Sequence, residues 1–295
     1  KALTATELKA LTTTQIGGLT ASELGVLSTA QLGALTSSQI AAFATSALSG
    51  LTTADIASLT TTQLAGVTSS QLGALVTSQL GALSSVQIGS VTTTALTGLT
   101  TSQIGALTTT QASGLTSAQI GALGLLSSDQ LGAITSAQIG AVTPTALAAL
   151  TSTVLGSLTP AQLGLVSATQ IGALSVTALS GLTPTQLGAL SPTQASGLTP
   201  TQVGALSLLN ATQLGSITSA QIGALTPTAL AALTSTVIGL LTPTQIGGLT
   251  STQASLLTTA QLGGLTSSEI GALSTTAAKA LTATELKALT TTQIG

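Results

Sequence analysis

The sequence predicts an all-α fold, a solenoid or superhelix of very short helices with one helix in each eight-residue repeat. Three observations lead to this prediction. An octad that reads Leu-Thr-x-x-Gln-Ile-Gly-Ala recurs through the sequence, its hydroxyl residue stands where a helix N-cap is expected, and its prolines all follow that residue. A stack of such octads grows along one axis instead of around one central core.

The repeats are predicted to form a single continuous array over residues 1–295. Counted from Thr4, the array holds 36 units, of which the last is shortened. Two units, at 116–126 and 199–209, are longer by the extra segments Gly124–Leu126 and Ser207–Leu209, which recur at an offset of 83 in the numbering. Residues 1–17 recur letter for letter at 279–295, an offset of 278 that equals 32 units of eight plus two of eleven. We therefore expect this offset to be a super-period of the array.

The hydroxyl residue of each unit predicts where a helix begins. It is Thr or Ser in 33 of 36 units and Asn210 in one more, and only Ala44 and Val76 depart. Gln, Glu or Asp follows three residues later in 28 of 36 units, as in Thr4 with Glu7, which is the reciprocal half of a capping box. Proline fits the first helical position, and every proline occupies it: Pro144, Pro160, Pro184, Pro192, Pro200, Pro227 and Pro243.

A β-solenoid is the alternative fold, because Thr, Ile and Val favour strands. Two features of the octad argue against it. Its inward-facing candidates are spaced five and then three residues apart, so they do not alternate, and a strand gives no reason for proline to keep one fixed position. The helical solenoid is therefore the preferred interpretation.

The apolar positions predict how the helices end and pack. The residue before the cap, such as Leu11, and the fourth helical residue, such as Ile16, are the two partners of a hydrophobic staple. Gly often follows that fourth residue, as Gly17 does, and we expect it to end the helix in the left-handed conformation. Because one octad buries too little surface to fold alone, the Leu and Ile side chains should form a continuous apolar spine between stacked units, with the Thr and Ser caps on the outer rim.

The two eleven-residue units have two interpretations. Each insertion can add one helical turn and so mark a corner of the superhelix. Alternatively, it is a tolerated slip without a role, since the stretches 121–163 and 204–246 match each other and indicate that a long block was duplicated.

The composition excludes most catalytic and cofactor chemistry. The chain has no His, no Cys and no Arg, so the usual ligands for zinc, haem or iron–sulfur clusters and the usual base for a Ser nucleophile are missing. With four Lys and one Phe, it has neither a basic surface for phosphates nor an aromatic surface for bases. We expect no enzyme, no cofactor, no metal site, no small-molecule substrate and no nucleic-acid partner.

Two further expectations follow from hydropathy and charge. No apolar run approaches the roughly 18 residues that a membrane-spanning helix needs, so no membrane span is expected. The chain opens on Lys1 inside a repeat, as expected of a mature or internal piece. Charged residues make up 3% of the chain, and the segment from Gln130 to Ser268 has none. A surface with so few charges favours association, which suits an assembled material.

The charged residues have structural interpretations first. Glu7 and Glu285 occupy the box position, and Lys9 and Lys287 lie in the last turn, where the helix dipole favours a cation. A Ser–Lys catalytic pair can be drawn, but no feature of the sequence places a Lys in a buried pocket.

Other candidate residues also have a structural interpretation beside a functional one. Asp55 and Asp129 are single acids without neighbouring ligands, which makes calcium binding a weak hypothesis. Asn210 begins an Asn-Ala-Thr glycosylation sequon but also stands at the cap position, and the cap is the preferred interpretation. O-glycosylation of the Ser/Thr rim stays open. Phe43 replaces an aliphatic residue before a cap and should fill the spine.

The units LTTTQIGGL, LTSSQIAAF, LTPTQLGAL and LTTTQIG resemble the LTxxQIxAL-type octapeptide repeats in long stretches of giant secreted or surface, adhesin-like proteins of Gram-negative bacteria. The resemblance covers the whole chain. It implies an extracellular or cell-surface location and a role as a stalk, an adhesin shaft or a matrix fibre. The Asp-rich and Gly-rich nonapeptides of calcium-binding secretion modules are missing, so the resemblance does not identify an export route.

The leading functional hypothesis is a structural protein that forms, or belongs to, an extracellular filament, sheath or adhesin shaft by stacking of repeats on copies of itself. The in-register identity of residues 1–17 and 279–295, without a polar capping repeat, favours this hypothesis. One alternative is an ice- or surface-binding protein with an ordered Thr array, although the cap position accepts Ser and Asn as well. The other alternative is a functional amyloid fibre built on Gln ladders.

Overall fold

A computed structural model describes residues 3–295, and in this range the chain is all-helical, with 35 α-helices, three 3₁₀ helices and no strand. The prediction of an all-α solenoid is confirmed, and the β-solenoid alternative is wrong for the described residues. No helix in this range exceeds six residues, and none is a candidate for crossing a membrane. The chain divides into two compact units, residues 1–146 and 147–295.

In the first unit, nearly every octad contributes one helix of four to six residues. In chain order these are α1 (Ala5–Ala10), α2 (Thr13–Gly17), α3 (Ala21–Leu24), α4 (Thr29–Ala34), α5 (Ser37–Ala41), η1 (Thr45–Gly50), α6 (Thr53–Ser58), α7 (Thr61–Leu64), α8 (Ser69–Ala74), α9 (Thr77–Gly81), α10 (Ser85–Ser90), α11 (Thr93–Leu96), α12 (Thr101–Ala106), α13 (Thr109–Ser113), α14 (Ser117–Gly121), η2 (Ala122–Leu125), α15 (Ser128–Gly132) and α16 (Ser136–Ala141). The helix α17 (Pro144–Leu147) spans the point in the sequence where the first unit ends.

The second unit has the same plan. Its helices are α18 (Ser152–Ser157), α19 (Pro160–Leu163), α20 (Ala168–Ala173), α21 (Val176–Leu179), α22 (Pro184–Ala189), α23 (Pro192–Ala195), α24 (Pro200–Gly204), η3 (Ala205–Leu208), α25 (Ala211–Ser216), α26 (Ser219–Ala224), α27 (Pro227–Ala231), α28 (Ser235–Ile238), α29 (Pro243–Ile246), α30 (Ser251–Ala254), α31 (Thr259–Gly263), α32 (Ser267–Gly271), α33 (Thr275–Ala280), α34 (Ala283–Ala288) and α35 (Thr291–Ile294).

The helices begin at the predicted caps. In α2, Gln15 N donates to Thr12 Oγ1 at 3.2 Å, and Thr12 N donates to Gln15 Oε1 at 2.9 Å, so both halves of the capping box are present. Asn210 accepts from Gln213 N through Oδ1 at 2.9 Å and caps α25. Because each helix is only four to six residues long, most of its backbone N–H groups belong to the first turn, and caps satisfy what the helix itself cannot.

One unit shows what happens when both halves of the box are missing. Ala44 stands at its cap and Ala47 at its box position, and this unit forms the 3₁₀ helix η1 instead of an α-helix. Val76 also lacks a cap oxygen, but Gln79 Oε1 still accepts from Val76 N at 2.9 Å, and α9 is retained. Thr92 keeps its cap without a box residue, and α11 is retained as well. In the units of Val76 and Thr92, therefore, one half of the capping box is present and the helix is an α-helix.

The expectation that glycine ends the helices in the left-handed conformation is wrong. No described residue, glycine included, has a positive φ. Gly18, for example, follows α2 with φ −82° and ψ −9°, and its N–H donates back to Gln15 O at 3.2 Å. The chain leaves each helix through a tightened last turn and an extended residue before the next cap, so no left-handed residue is needed.

The three-residue insertions add one helical turn, as one interpretation predicted. The helix η2 continues directly from α14, and η3 continues directly from α24, so each eleven-residue unit is an α-helix extended by a 3₁₀ turn. The extra turns leave Leu125 and Leu208 exposed.

Each helix packs on the helix that follows three repeats later. In the first unit α1 packs on α4 and α2 on α5, and in the second α29 packs on α32 and α30 on α33. The fourth helical residue of each octad and the residue before the cap fill the core between these turns, and Phe43 is 4% exposed among them. Thr and Ser caps lie on the surface, so the predicted spine and rim are confirmed.

Candidate functional site: the junction between turns

Glutamine occurs at only one position of the repeat. All 23 Gln residues occupy the box position, and five further units carry Glu or Asp there, which makes up the 28 units counted above. A capping box accepts Glu as readily as Gln, so the box alone does not explain this preference.

The structure gives Gln a second partner that an ionised Glu cannot have. Gln111 Oε1 accepts from Thr108 N at 3.0 Å in the box, while its Nε2 donates to Leu80 O at 2.8 Å and Leu83 O at 2.9 Å. The two acceptors lie 31 and 28 residues earlier, on the preceding turn of the solenoid. One amide thus caps its own helix with the oxygen and binds the preceding turn with the nitrogen. We call this second contact the inter-turn glutamine bond.

The inter-turn glutamine bond recurs in both units. In the first unit its donors are Gln31, Gln39, Gln63, Gln71, Gln79, Gln87, Gln103, Gln111, Gln119, Gln130 and Gln138. In the second unit they are Gln186, Gln194, Gln202, Gln213, Gln221, Gln245, Gln253, Gln261 and Gln293. The acceptors are the carbonyls at the end of a helix and before the next cap, which a helix C-terminus leaves unpaired or half-used.

The eleven-residue units preserve this register. Across the insertion at 124–126, Gln138 Nε2 donates to Ile104 O at 2.6 Å and Leu107 O at 2.7 Å, now 34 and 31 residues earlier. Across the insertion at 207–209, Gln221 makes the same pair of bonds, to Leu187 O and Leu190 O. Three extra residues therefore enter one turn without shifting the junction.

Most of the glutamines are buried polar groups, and their hydrogen bonds are satisfied. Gln253 is 1% exposed, and Gln111 and Gln186 are 2% exposed. Within residues 3–295, no buried side-chain nitrogen or oxygen lacks a hydrogen-bond partner. A buried amide stabilises only when it is paired, because each unpaired group costs about 1–3 kcal/mol. The junction therefore stabilises the register in which every buried amide is paired and destabilises registers that leave an amide unpaired.

Glycine provides the close approach at the junction. A Cβ on Gly98 would lie 1.9 Å from Ser69 O, and one on Gly73 would lie 2.4 Å from Gly98 O. The contact between Gly73 and Gly98 recurs at the same sequence separation in other glycine pairs, which are Gly25 with Gly50, Gly89 with Gly114, Gly156 with Gly181, Gly172 with Gly197, Gly223 with Gly248 and Gly239 with Gly264. At these points glycine is required for backbone contact between turns, not for an unusual φ.

Each octad therefore has two different faces. Its box residue faces the preceding turn, and its fourth helical residue and the carbonyls at the helix end face the following turn. In the first unit, Gln63 Nε2 donates backwards to Leu32 O at 2.7 Å, while Leu64 packs in the core at 2% exposure. The junction is directional and uses the same residue types in both units.

The charged residues predicted as caps are at the predicted places. Glu7 accepts from Thr4 N at 2.7 Å, and Glu23 accepts from Thr20 N at 2.8 Å. These backbone hydrogen bonds, with those from the Thr hydroxyls, lower the pKa of both exposed carboxyls. Glu285 makes the box with Thr282, and Lys9 and Lys287 lie in the last turns of α1 and α34.

The other candidate residues stand apart from one another. Asp55 is a box residue, with Oδ2 accepting from Thr52 N at 2.8 Å, whereas Asp129 lies exposed in the first turn of α15. Among residues 3–295, no group of three or more Asp, Glu, His or Cys is placed to hold a metal ion. Asn210 is exposed, and its cap uses Oδ1.

Two cavities lie beside repeats that depart from the octad pattern. In the first unit, a cavity of about 20 Å³ lies beside η1 and is lined by Phe43, Leu48 and Leu51 among others. In the second unit, a cavity of about 50 Å³ lies beside η3 and is lined by Leu206, Leu209 and other aliphatic residues. Both are mostly apolar, with glutamine side chains in part of the lining.

Comparison with known protein families supports the interpretation of this chain as a repeat protein. A family model described as the ALTTAQ repeat matches residues 48–85. No curated protein matches the chain. The match covers a segment that runs from η1 to the start of α10 and includes Gln63, Gln71 and Gln79, three donors of inter-turn glutamine bonds.

Proposed function

We propose that this chain is a structural protein, the material of an extracellular filament, sheath or adhesin shaft that is built by stacking solenoid turns. The observation that carries the proposal is the inter-turn glutamine bond, which recurs along both units with the same donor and the same kind of acceptor. A contact between a front face and a different back face is heterologous, so it extends along one axis wherever the rotation between copies does not close a ring. The next turn can belong to the same chain or to a second copy, because the junction needs the same residues in either case.

The proposal also gives the junction a mechanical role. Force applied along the axis acts on hydrogen bonds and apolar contacts that recur at every turn, so each junction resists the same force with the same kinds of contact. The apolar core and the buried amides make this junction insensitive to ionic strength, because charged residues make up only 3% of the chain. Urea, which weakens apolar burial and solvates peptide groups, should dissociate it.

The extracellular setting and the absence of catalysis belong to the same proposal. The extracellular location rests on the resemblance of the octad to repeat regions of secreted and surface proteins. A non-catalytic role is supported by the residue inventory, which lacks His, Cys and Arg. The polar side chains that are buried here are mostly Gln, and their amides make the hydrogen bonds of the junction.

Electron microscopy of the purified chain tests the proposal. We expect filaments of constant width that lengthen with protein concentration, persist at roughly unchanged length when the salt concentration is raised and disappear in urea. Gln15→Glu keeps the box with Thr12 but removes the amide donor, so it should shorten the filaments while helical circular dichroism is unchanged. Thr14→Ala, a change at an exposed position of the same helix, is the matched control.

Three outcomes would contradict the proposal. Short, monodisperse particles at high concentration would argue against any stacking. A cross-β reflection at about 4.7–4.8 Å would favour the functional amyloid instead. A freezing-point gap that Thr-to-Val changes on the rim abolish, without an effect of Gln15→Glu, would favour ice binding. That alternative has less support from the structure, because cap hydroxyls such as Thr12 Oγ1 already accept hydrogen bonds from their own helices.

A further inference from the structure

One stretch of the second unit departs from the glutamine rule for three successive repeats. Between Gln261 and Gln293, the box positions hold Glu269, Ala277 and Glu285. Both flanking glutamines make inter-turn glutamine bonds, Gln261 to Leu233 O at 2.8 Å and Gln293 to Leu265 O at 2.7 Å. Since each helix packs on the one three repeats later, these three positions span nearly a whole turn of the solenoid.

The two glutamates keep their capping role and are buried like glutamines. Glu269 Oε2 accepts from Thr266 N at 2.6 Å, and Glu285 makes the corresponding box with Thr282. Glu269 is 6% exposed and Glu285 is 5% exposed, which lies in the range of the buried glutamines. Their helices pack on the preceding turn as the others do, α32 on α29 and α34 on α31.

The register identifies what these glutamates face. Counting 31 and 28 residues back, as for the glutamines, leads from Glu269 to the carbonyls of Ile238 and Leu241. From Glu285 the same count leads to Ala254 and Leu257. An ionised carboxylate has only acceptors, so it cannot supply the donor that these carbonyls receive elsewhere in the array.

A protonated carboxyl restores the donor. Its carbonyl oxygen can accept the box N–H while its O–H donates, so a carboxylic acid replaces the primary amide with one donor in place of two. We propose that Glu269 and Glu285 form a proton-operated junction in the second unit. Uptake of one proton from solvent by each carboxylate forms the O–H that bonds the carbonyl of the preceding turn, and its loss breaks that bond.

The surroundings contain few charges that could act in place of the proton. The helices packed on α32, which are α29 and α35, contain no Lys, Asp or Glu, and neither does α31, which packs on α34. The helix α33 between them in sequence carries Lys279, and α34 itself carries Lys287. Both lysines lie exposed in the last turn of their helices, at the end opposite to the box.

Backbone hydrogen exchange in Glu269→Gln/Glu285→Gln tests this inference on the full chain, with each rate corrected for the intrinsic effect of pH. At pH 7.5 we expect the amides of residues 262–289 to be protected at least about tenfold more than in the wild type, since each variant amide supplies the missing donor. At pH 3.5 the difference should fall below about threefold, because a protonated carboxyl donates to the carbonyl as the variant amide does. Glu7→Gln is the control and should leave these amides unchanged.

The reciprocal variant keeps the inference testable if the double variant misfolds. Gln253→Glu places a carboxyl opposite Ile222 O and Leu225 O, which Gln253 Nε2 bonds at 2.9 and 2.8 Å. Protection around α30 should drop at pH 7.5 and recover at pH 3.5. A difference that stays constant between the two pH values, in either variant, would overturn the proton-operated junction. Neither outcome depends on filament formation, so the proposed function is tested separately.

Discussion

The two copies of the repeated terminal segment, at 1–17 and 279–295, have identical sequences but bury opposite faces. In the first copy Leu8 is 1% exposed and Ile16 is 0% exposed. The equivalent side chains of the second copy, Leu286 and Ile294, are 48% and 69% exposed. The apolar face that meets the following turn is thus covered in the first copy only.

The face that carries the box residue, the glutamine face, shows the reverse, because it is covered in the second copy only. Gln293 in the second copy is 8% exposed, and its Nε2 donates to Leu262 O and Leu265 O, both at 2.7 Å. Gln15 in the first copy is exposed, and its side-chain oxygen accepts the hydrogen bonds of the capping box from Thr12. The helices begin at the same positions with the same capping boxes in both copies. The local sequence therefore determines the helix, and the neighbouring turn determines which face contributes to stability.

The largest expected difference between the copies concerns the apolar face. Ile16→Ala should lower the free energy of opening of α2 and α5 by about 2–5 kcal/mol, because it leaves a cavity in the core. Ile294→Ala, the same change in the same sequence, should alter local stability by less than about 0.5 kcal/mol, because the side chain is exposed. Native-state hydrogen exchange measures both. Equal effects would show that the two faces do not act independently.

The next difference concerns the glutamine face and has the opposite direction. Gln293→Ala removes the box and two inter-turn glutamine bonds and should cost about 2–3 kcal/mol in local opening free energy. Gln15→Ala removes the box alone and should cost about 0.5–1 kcal/mol. Exchange rates of the amides in α35 and α2 provide the comparison. If Gln15→Ala is the more harmful change, the inter-turn bond contributes little.

A smaller difference is expected at the glycine after the fourth helical residue. A Cβ on Gly17 would lie 2.9 Å from Ala42 O, whereas one on Gly295 meets no atom within 4 Å. Gly17→Ala should cost about 1–3 kcal/mol in packing strain, and the better helix propensity of Ala offsets about 1 kcal/mol of this. Gly295→Ala should be neutral or slightly stabilising. Hydrogen exchange of α2 and α35 gives both values, and a stabilised Gly17→Ala variant would contradict the close contact.

The helix starts, the boxes and the apolar spine could be predicted because they depend on residues close together in the sequence. Thr12 with Gln15 and Asn210 with Gln213 are readable from the sequence for this reason. The conformation of the glycines could not be predicted as easily, since a glycine after a helix commonly takes a positive φ. Here Gly17 instead allows a close approach to the next turn, and that turn consists of residues far away in the sequence, as Ala42 is from Gly17.

The inter-turn glutamine bond was missed for a similar reason. Its spacings of 28 and 31 residues result from the curvature of the whole turn, which sums many small bends between helices. One signal was present in the sequence, because the box position holds 23 Gln and only five acids although both complete a capping box. A position that prefers an amide to a carboxylate uses the hydrogen-bond donor that a carboxylate lacks. The preference for Gln therefore indicates an acceptor outside the box, which the structure places on the preceding turn.

The smallest expected effect concerns Glu7 and depends on pH. The Thr4 backbone N–H and hydroxyl bind the Glu7 carboxylate and lower its pKa in the folded chain. A lowered folded-state pKa means that this contribution to stability is fully present above the pKa of the unfolded chain and is lost as the pH falls through the folded-state value. On acidification from pH 7, α1 in the wild type should therefore lose protection. Glu7→Gln keeps a box acceptor without a titrating group, so α1 in this variant should respond less. Amide exchange of Leu8 measures the difference, and a wild-type α1 that gains protection in acid would show that another group controls this helix.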